Sequence, residues 1–334
     1  MEATVSDPKP EILQIGPYDS PSGDQALEDL FVVHRWWEQR DKTTFLARIG
    51  PRIRGIAGCP YPWRLNAEFL QSFPNLEIIT IFGIGHDSVD MEAAARRGVV
   101  VANAQGAPAE VADCAMGLLL ACAREIVAAQ QFVREGRWSE GRYRLTSSLA
   151  GRRVGVLGLG QIGKAIAKRC AAFDMEVGYH GRRRQAGVNY PYYESLQDMA
   201  QNSDVLMIAA PQSPETEGLV NAEVLAALGA RGIVINVGRG SIVHEPALVD
   251  ALRNKTILAA GLDVTANEPY VTAELLRLEN ALVLPHTGGA TDRGWTRLCN
   301  QVVDNLRSWF AGQGAVSPIA NPHFGTGTAQ GPTA

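Results

Sequence analysis

A two-domain α/β protein with parallel sheets is predicted by three features of the chain. It is 334 residues long, short apolar runs alternate with helical stretches along most of it, and a glycine-rich turn stands at mid-chain between a strand and a helix. Composition is that of an ordinary globular protein, 46% hydrophobic and 20% charged with a formal net charge of −4. No nucleic-acid or membrane surface is expected from that balance, and the apolar runs are too short to span a bilayer. The opening stretch MEATVSDPKPEI is polar and holds Pro8 and Pro10, unlike a signal peptide. Five cysteines (Cys59, Cys114, Cys122, Cys170 and Cys299) are scattered without a C-x-x-C pair. That pattern argues against a disulfide frame or a metal site and suits a reducing cytoplasm.

From residue 11 to residue 104, strands are expected at 12–15, 31–35, 53–57, 76–82 and 99–103, and helices at 24–30, 42–49, 66–72 and 90–97. This reads as a small parallel-sheet domain. Trp36, Trp37 and Trp63 are packing residues in this reading. After the fourth strand, Phe82-Gly83-Ile84-Gly85-His86 forms a tight turn whose backbone N–H groups could face a small anion. A long apolar helix follows at 108–134, apolar on most faces and so expected to be buried between domains or subunits.

The centre of the chain carries the chemistry. An apolar run at 154–159 leads into Gly158-Leu159-Gly160-Gln161-Ile162-Gly163, a helical period follows, and a second short strand is expected at 176–179. Strand, tight turn, helix and strand in this order are the signature of a dinucleotide-binding unit. Gly158 permits the turn, Gly160 lets backbone approach a pyrophosphate, and Gly163 lets the helix pack close to the strand. The helix N-terminus then offers free N–H groups to phosphate. At the end of the second strand an Asp or Glu would bind the ribose 2′-OH of NAD. Here stand His180-Gly181-Arg182-Arg183-Arg184, guanidiniums suited to a 2′-phosphate. NADP(H) is therefore the expected cofactor and NAD the alternative. Because this unit begins mid-chain, it is either inserted into the first domain or preceded by it.

Further strands are expected at 205–209, 233–237, 259–264 and 282–284, with helices at 222–228, 246–254 and 295–310. Each strand ends in a polar loop, holding in turn Ala210-Pro211, Gly238-Arg239-Gly240, Asp263 to Pro269, and Pro285-His286-Thr287-Gly288-Gly289. Strand ends on one rim of a parallel sheet converge on the ligand crevice, which brings Arg239, Glu268 and His286 together. Taken singly each residue also fits a packing, capping or surface role; with the fingerprint they form a candidate site. His180 and His244 are not assigned to catalysis. Residues 313–334, full of Gly, Pro, Thr and Ala, are expected to be disordered.

The order of Gly158 to Gly163, Asn236-Val237-Gly238-Arg239-Gly240, Gly261-Leu262-Asp263-Val264 with Glu268-Pro269, and Leu284-Pro285-His286-Thr287-Gly288 resembles the D-2-hydroxyacid dehydrogenases over nearly the whole chain. Tyr179 to Arg182 and Tyr190-Pro191-Tyr192-Tyr193 resemble the NADPH-using glyoxylate/hydroxypyruvate and hydroxyphenylpyruvate reductase branch. The resemblance implies a Rossmann-type doubly wound sheet at 104–286, inserted into a smaller flavodoxin-like substrate-binding domain. The latter would comprise 1–103 and a returning C-terminal helix at 287–312. It also implies a homodimer built with the long helix, and a small 2-oxo acid as substrate. In the implied chemistry His286 is the proton donor, Glu268 supports it, and Arg239 grips the substrate carboxylate. Gly83, Ile84 and Gly85 would bind the same carboxylate through their backbone. The cofactor would lie against the fingerprint, His180 to Arg183, Ala210, Pro211, Thr216, Val237, Gly238, Asp263 and Gly288, with Asp263 orienting the nicotinamide carboxamide. An NAD-dependent hydroxy acid oxidase of the phosphoglycerate dehydrogenase kind and a dinucleotide sensor like the family's corepressor branch are the alternatives. Against the family pattern His244 replaces the usual Asp, Thr265 an aromatic and Gly289 a Ser, and the loop 58–63 lacks the usual small residues.

Overall fold

The computed structural model describes residues 8–58, 64–106 and 108–320. Residues 59–63 of the loop noted above, and the tail beyond Ala320, lie outside them. The chain divides into two compact units, Met1–Ala107 with Asp292–Ala334, and Pro108–Thr291. The division falls after Ala107 and Thr291 rather than after residues 103 and 286. Ala104 continues the β-ladder by donating its N–H to Ile81 O at 2.9 Å, which keeps this stretch with the first unit.

The first unit runs β1 (Glu11–Gln14), α1 (Pro21–Leu30), β2 (Val32–Arg35), α2 (Lys42–Ile49), β3 (Ile53–Gly58), α3 (Ala67–Gln71), β4 (Ile78–Ile81), α4 (Met91–Arg96) and β5 (Val100–Asn103). Four of its helices begin at a residue whose short polar side chain accepts the N–H three positions on: Ser20, Asp41, Asn66 and Asp90. The strands pair in the order β2-β1-β3-β4-β5, all parallel, the flavodoxin-like winding. Ile12, Leu13, Ile56, Ile78 and Ile79 are fully buried in it, each burial worth about 1.5–3 kcal/mol.

The second unit runs α5 (Pro108–Ala123), α6 (Ile126–Arg134), β6 (Arg153–Leu157), α7 (Gln161–Ala172), β7 (Glu176–His180), α8 (Leu196–Gln201), β8 (Val205–Ile208), α9 (Ala222–Leu228), β9 (Ile233–Asn236), α10 (Glu245–Arg253), β10 (Ala259–Leu262), α11 (Ala273–Leu276) and β11 (Ala281–Val283). Its parallel sheet is ordered β11-β10-β9-β8-β6-β7. Outside β7, Tyr192 adds a single parallel bridge to Tyr179, where a Rossmann sheet has its outermost strand. Pro191 has a carbonyl but no N–H to give, and its carbonyl accepts from Tyr179 N at 2.9 Å. Alternate strand residues supply the two faces. Val154, Val156, Met207 and Ile235 enter one core, and Leu157, Leu206, Ile208 and Val234 the other, as a sheet covered on both sides requires.

The long helix expected at 108–134 is two helices. Glu125 breaks it in the left-handed region, at φ 51°. The Glu125 carboxylate accepts from Tyr143 Oη at 2.7 Å and Arg144 Nε at 2.6 Å, and Ala123 O accepts from Ser147 N at 3.0 Å. The returning chain thus takes up the end of α5. α5 buries Ala112, Ala115, Leu118 and Leu119, whereas α6 buries none of its residues within the chain. The short helices α8 and α11 were not foreseen, although Ser195 capping Asp198 N is a readable helix start.

α12 (Asp292–Phe310) returns to the first unit, burying Leu298, Val302, Leu306 and Trp309 on one stripe. The expectation of a disordered tail from residue 313 is corrected as far as residue 320. Ser317 O accepts from Asn103 N at 3.2 Å and Ile319 N donates to Val101 O at 2.8 Å, so the tail pairs with the edge of β5. Fully buried Asn305 fixes the crossing, its Oδ1 accepting from Ser317 N at 2.9 Å and its Nδ2 donating to Asn103 O at 3.2 Å. Among the described residues no helix is long and apolar enough to cross a membrane.

Candidate active site

The sheet order of the second unit reverses between β6 and β8, and the fingerprint turn lies at the carboxyl end of β6, where such sheets bind ligands. Gly158 sits at φ 91° and donates its N–H to His180 O at 2.9 Å. A Cβ there would stand 2.7 Å from Ala210 backbone, and one on Gly163 only 2.0 Å from Gly158 O. Gly160 by contrast faces open space, and as the cap of α7 it brings no side chain to the first-turn N–H groups. Close packing behind the turn and an open cradle before a helix start fit a dinucleotide pyrophosphate. Buried Leu159 is held through its carbonyl by Gln185 Nε2 at 2.8 Å. Gln161 opens α7, and Ile162 packs on the core.

The basic turn after β7 is tied at its ends and free in the middle. His180 Nδ1 donates to Tyr193 O at 2.9 Å, Tyr192 Oη donates to Gly181 O at 3.0 Å, and Gln185 N donates to Tyr179 Oη at 2.8 Å. Arg182, Arg183 and Arg184 between these ties are exposed. Across the loop, exposed Glu215 is held below the usual carboxyl range, first by a hydrogen bond from Ser213 and in smaller part by the charge of Arg182. Ala210 and Pro211 follow β8, and Thr216 closes their loop on itself, Oγ1 donating to Pro211 O at 2.9 Å and accepting from Ser213 N at 2.8 Å.

The three candidate catalytic side chains sit on loops after β9, β10 and β11. Asn236, fully buried, shapes the first: its Oδ1 accepts from Gly238 N at 3.0 Å and its Nδ2 donates to Arg239 O at 2.9 Å. Val237 is buried beside it, and half-buried Arg239 donates from Nη1 to Gly238 O at 2.8 Å. On the second loop Glu268 Oε1 accepts from Thr265 N at 3.1 Å, which leaves Oε2 for His286 Nδ1 at 2.7 Å. A carboxylate only accepts, so Nδ1 carries the hydrogen and Nε2 is the ring's outward atom. Half of the His286 side chain is exposed.

The third loop holds His286 in a strained conformation, φ 54°, with its N–H on Asp263 O at 2.9 Å. Buried Asp263 fixes it: Oδ1 accepts from Thr287 N at 2.7 Å and Oδ2 from Gly288 N at 2.8 Å. A Cβ on Gly288 would lie 2.7 Å from that Oδ2, so the clamp needs glycine. The Asp263 carboxylate is thus placed on the backbone that carries His286. The roles of Asp263, Asn236 and Thr287 in shaping the loops were not foreseen; strand-end Asn and Asp beside glycine turns were the readable signal.

Electrostatics follows the geometry. The hydrogen bond to Glu268 holds His286 above the ordinary imidazole value against the opposing effect of burial, with further help from the charges of Glu268 and Asp263 and opposition from Arg239. Burial pushes the Glu268 carboxyl up, but the His286 hydrogen bond and charge, the Thr265 N–H and the Arg239 charge outweigh it and hold it below the carboxylate range. Arg239 therefore acts on both members of the pair. The resulting site has an imidazole backed by a carboxylate, a guanidinium beside them, and the open fingerprint turn on the same rim.

In the first unit the turn after β4 places Gly83 at φ 138°, and Ile84 O accepts from Asn103 Nδ2 at 3.0 Å. Among the described residues no acceptor takes the N–H of Ile84 or Gly85, which leaves both for an anion. No group of metal-ligating side chains occurs among the described residues.

A doubly wound dinucleotide crevice with a carboxylate-backed histidine on its rim is the arrangement of a dinucleotide-dependent oxidoreductase. Residues 116–288 match the family described as D-isomer specific 2-hydroxyacid dehydrogenase, NAD binding domain. The chain is 40% identical over 297 residues to a hydroxyphenylpyruvate reductase of Plectranthus scutellarioides, covering 89% of this chain and 95% of that one. It is 38% identical to a glyoxylate/hydroxypyruvate reductase A of Arabidopsis thaliana over the same shares. Among solved structures, an NADPH-dependent glyoxylate/hydroxypyruvate reductase of Sinorhizobium meliloti, in complex with NADP and malonate, superposes with a TM-score of 0.87. That protein is 42% identical, with 94% of this chain and 97% of that one covered. The chain belongs to the D-isomer specific 2-hydroxyacid dehydrogenases, and it is an enzyme of that family.

Proposed function

We propose that the protein is an NADPH-dependent reductase of small 2-oxo acids, glyoxylate, hydroxypyruvate or an aryl-pyruvate, giving the D-2-hydroxy acid. The observation that carries the reading is the 2.7 Å bond between His286 Nδ1 and Glu268, which supports Nε2–H of the imidazolium as the proton donor. When bound, the nicotinamide supplies the hydride. Arg239 pairs with the substrate carboxylate in two parallel hydrogen bonds and polarises the neighbouring carbonyl. His286 protonates the carbonyl oxygen as it gains negative charge, while Glu268 stabilises the imidazolium that starts the step. The open N–H groups of Ile84 and Gly85 are suited to a carboxylate oxygen, which supports a substrate-binding role for the first unit. The substrates named for the relatives support this choice of acids, and the NADP held by the Sinorhizobium meliloti enzyme supports the assignment of Arg182 and Arg183 to the 2′-phosphate.

The enzyme works as a cytoplasmic homodimer in this reading. α6 leaves Ile126, Val127 and Val133 exposed, with Trp138 70% and Leu145 83% exposed just beyond, large apolar side chains suited to burial against a second copy. Sedimentation of the protein and of an Ile126→Glu, Val127→Glu variant tests the assembly; equal masses would overturn it. Coenzyme oxidation by the purified protein tests the activity. NADPH and NADH are run in parallel with glyoxylate, hydroxypyruvate, pyruvate and phenylpyruvate. Turnover favouring NADPH is expected. Binding of NADPH without turnover of any of these acids would overturn the reductase reading.

A further inference from the structure

Glu245 lies outside the catalytic trio, on the first turn of α10, and its carboxylate is fully engaged with the loop that carries Glu268. Oε2 accepts from Ala266 N at 3.2 Å, and Oε1 accepts from Thr272 Oγ1 at 2.9 Å. These two contacts bracket Glu268, one two residues before it and one four residues after. The bracket matters because the loop is otherwise weakly held: Ala266, Asn267, Pro269, Tyr270 and Thr272 are all exposed. The base from which Glu245 reaches is firm by comparison. Gly240–Ile242 forms a helical turn, Val243 bridges to Val220, and His244 N donates to Val220 O at 3.1 Å. The two segments also touch backbone to backbone. A Cβ on Gly240, next to Arg239, would lie 1.9 Å from Thr265 O.

We infer that Glu245 is a positioning residue: it staples the Glu268 loop to the Arg239 segment and so sets where the Glu268 carboxylate meets the His286 ring. The inference rests on the reading of His286 as proton donor. The charges that act on His286 are those of Glu268, Asp263 and Arg239. Glu245 acts on none of them directly; it acts through the backbone of Ala266 and the hydroxyl of Thr272. Water can replace both contacts at an exposed loop, so losing them costs placement of Glu268 rather than the fold. A displaced Glu268 supports the imidazolium less well, and His286 then loses its proton at lower pH.

The test is the pH profile of kcat/KM for 2-oxo acid reduction by Glu245→Ala, Glu245→Gln and Thr272→Val, beside His286→Ala and the unaltered enzyme. In Glu245→Ala the alkaline limb is expected to move to lower pH, with kcat above it falling on the order of tenfold and less than about threefold below it. NADPH binding stays unchanged. A glutamine can still accept from Ala266 N and donate to Thr272 Oγ1, so Glu245→Gln is expected to restore the limb. Thr272→Val, which leaves the start of α10 intact, is expected to move it the same way by less. A wild-type limb in Glu245→Ala would make the residue only a helix-start group and overturn the inference. Equal displacement in the alanine and glutamine variants would make it a charge effect, and overturn it too. If His286→Ala kept the wild-type limb, the proton-donor reading would fall, and the staple with it. If His286→Ala lost the limb while Glu245→Ala and Thr272→Val kept it, the staple alone would fall.

Discussion

The position and charge of His286 are set by three contacts with different jobs. Glu268 sets its charge, Asp263 O accepts its backbone N–H, and the Asp263 carboxylate clamps the next two residues. Replacing the ring with His286→Ala should cost about 10²–10⁴ in kcat while NADPH affinity stays near wild type; stopped-flow reduction and fluorescence titration measure the two. With His286 as the proposed proton donor, kcat/KM for reduction should fall as pH rises through its raised value, and oxidation of the hydroxy acid should rise through it. The pair also links to stability. The His286 contribution is complete below the ordinary imidazole value of about 6.5 and is lost as pH rises through its raised value. The Glu268 contribution is complete above the ordinary carboxyl value of about 4.3 and is lost as pH falls through its lowered value. Both are therefore present together between those ordinary values, and screening at a half-exposed histidine keeps the sum small. Asp263→Asn replaces one acceptor oxygen by an amide donor facing a backbone N–H. At a buried position this should destabilise the fold by about 1–3 kcal/mol, read as a lower denaturant midpoint, and lower kcat by misplacing His286.

At the scale of elements, the proposed preference for NADPH rests on β7 and the turn after it. Tyr179, Tyr192 and Tyr193 fasten the ends of the turn, so the arginines between them can change without loss of the sheet. Replacing Arg182 and Arg183 together by neutral residues should weaken NADPH use by about ten- to a hundredfold, on the scale of 1.4 kcal/mol per factor of ten, and leave NADH use little changed. Equal loss with both coenzymes, in steady-state kinetics, would remove the 2′-phosphate assignment. α12 and the strand-like tail make a second element pair. Asn305→Ala would leave Ser317 N without its acceptor, while Asn103 O keeps the Ser317 hydroxyl, and the first unit should lose about 1–3 kcal/mol.

Over the whole molecule, the second unit is one uninterrupted segment, Pro108–Thr291, with cores on both faces of its sheet. A segment with its own core can fold alone. A fragment of residues 108–291 should therefore fold and bind NADPH by itself, which calorimetry reads. The first unit is made of two distant stretches and should not fold from residues 1–107 alone, since Leu298, Val302 and Leu306 of α12 fill its core.

Residue order by itself carried the alternation of strand and helix, the fingerprint glycines, the arginine turn and the trio at the strand ends. Each of these is a local requirement: a period of two or of 3.6, a turn that admits no Cβ, or a charge at a fixed place after a strand. The break at Glu125, the pairing of the tail with β5, the clamp of Asp263 on Thr287 and Gly288, and the reach of Glu245 to Ala266 and Thr272 were decided only by the tertiary structure. Each depends on a partner brought close by folding: Tyr143 and Arg144 for Glu125, Asn305 for the tail, the loop after β11 for Asp263, and the loop after β10 for Glu245. A side chain's hydrogen bonds depend on distances in space, and those distances are set by how the sheets stack their loops rather than by spacing along the chain.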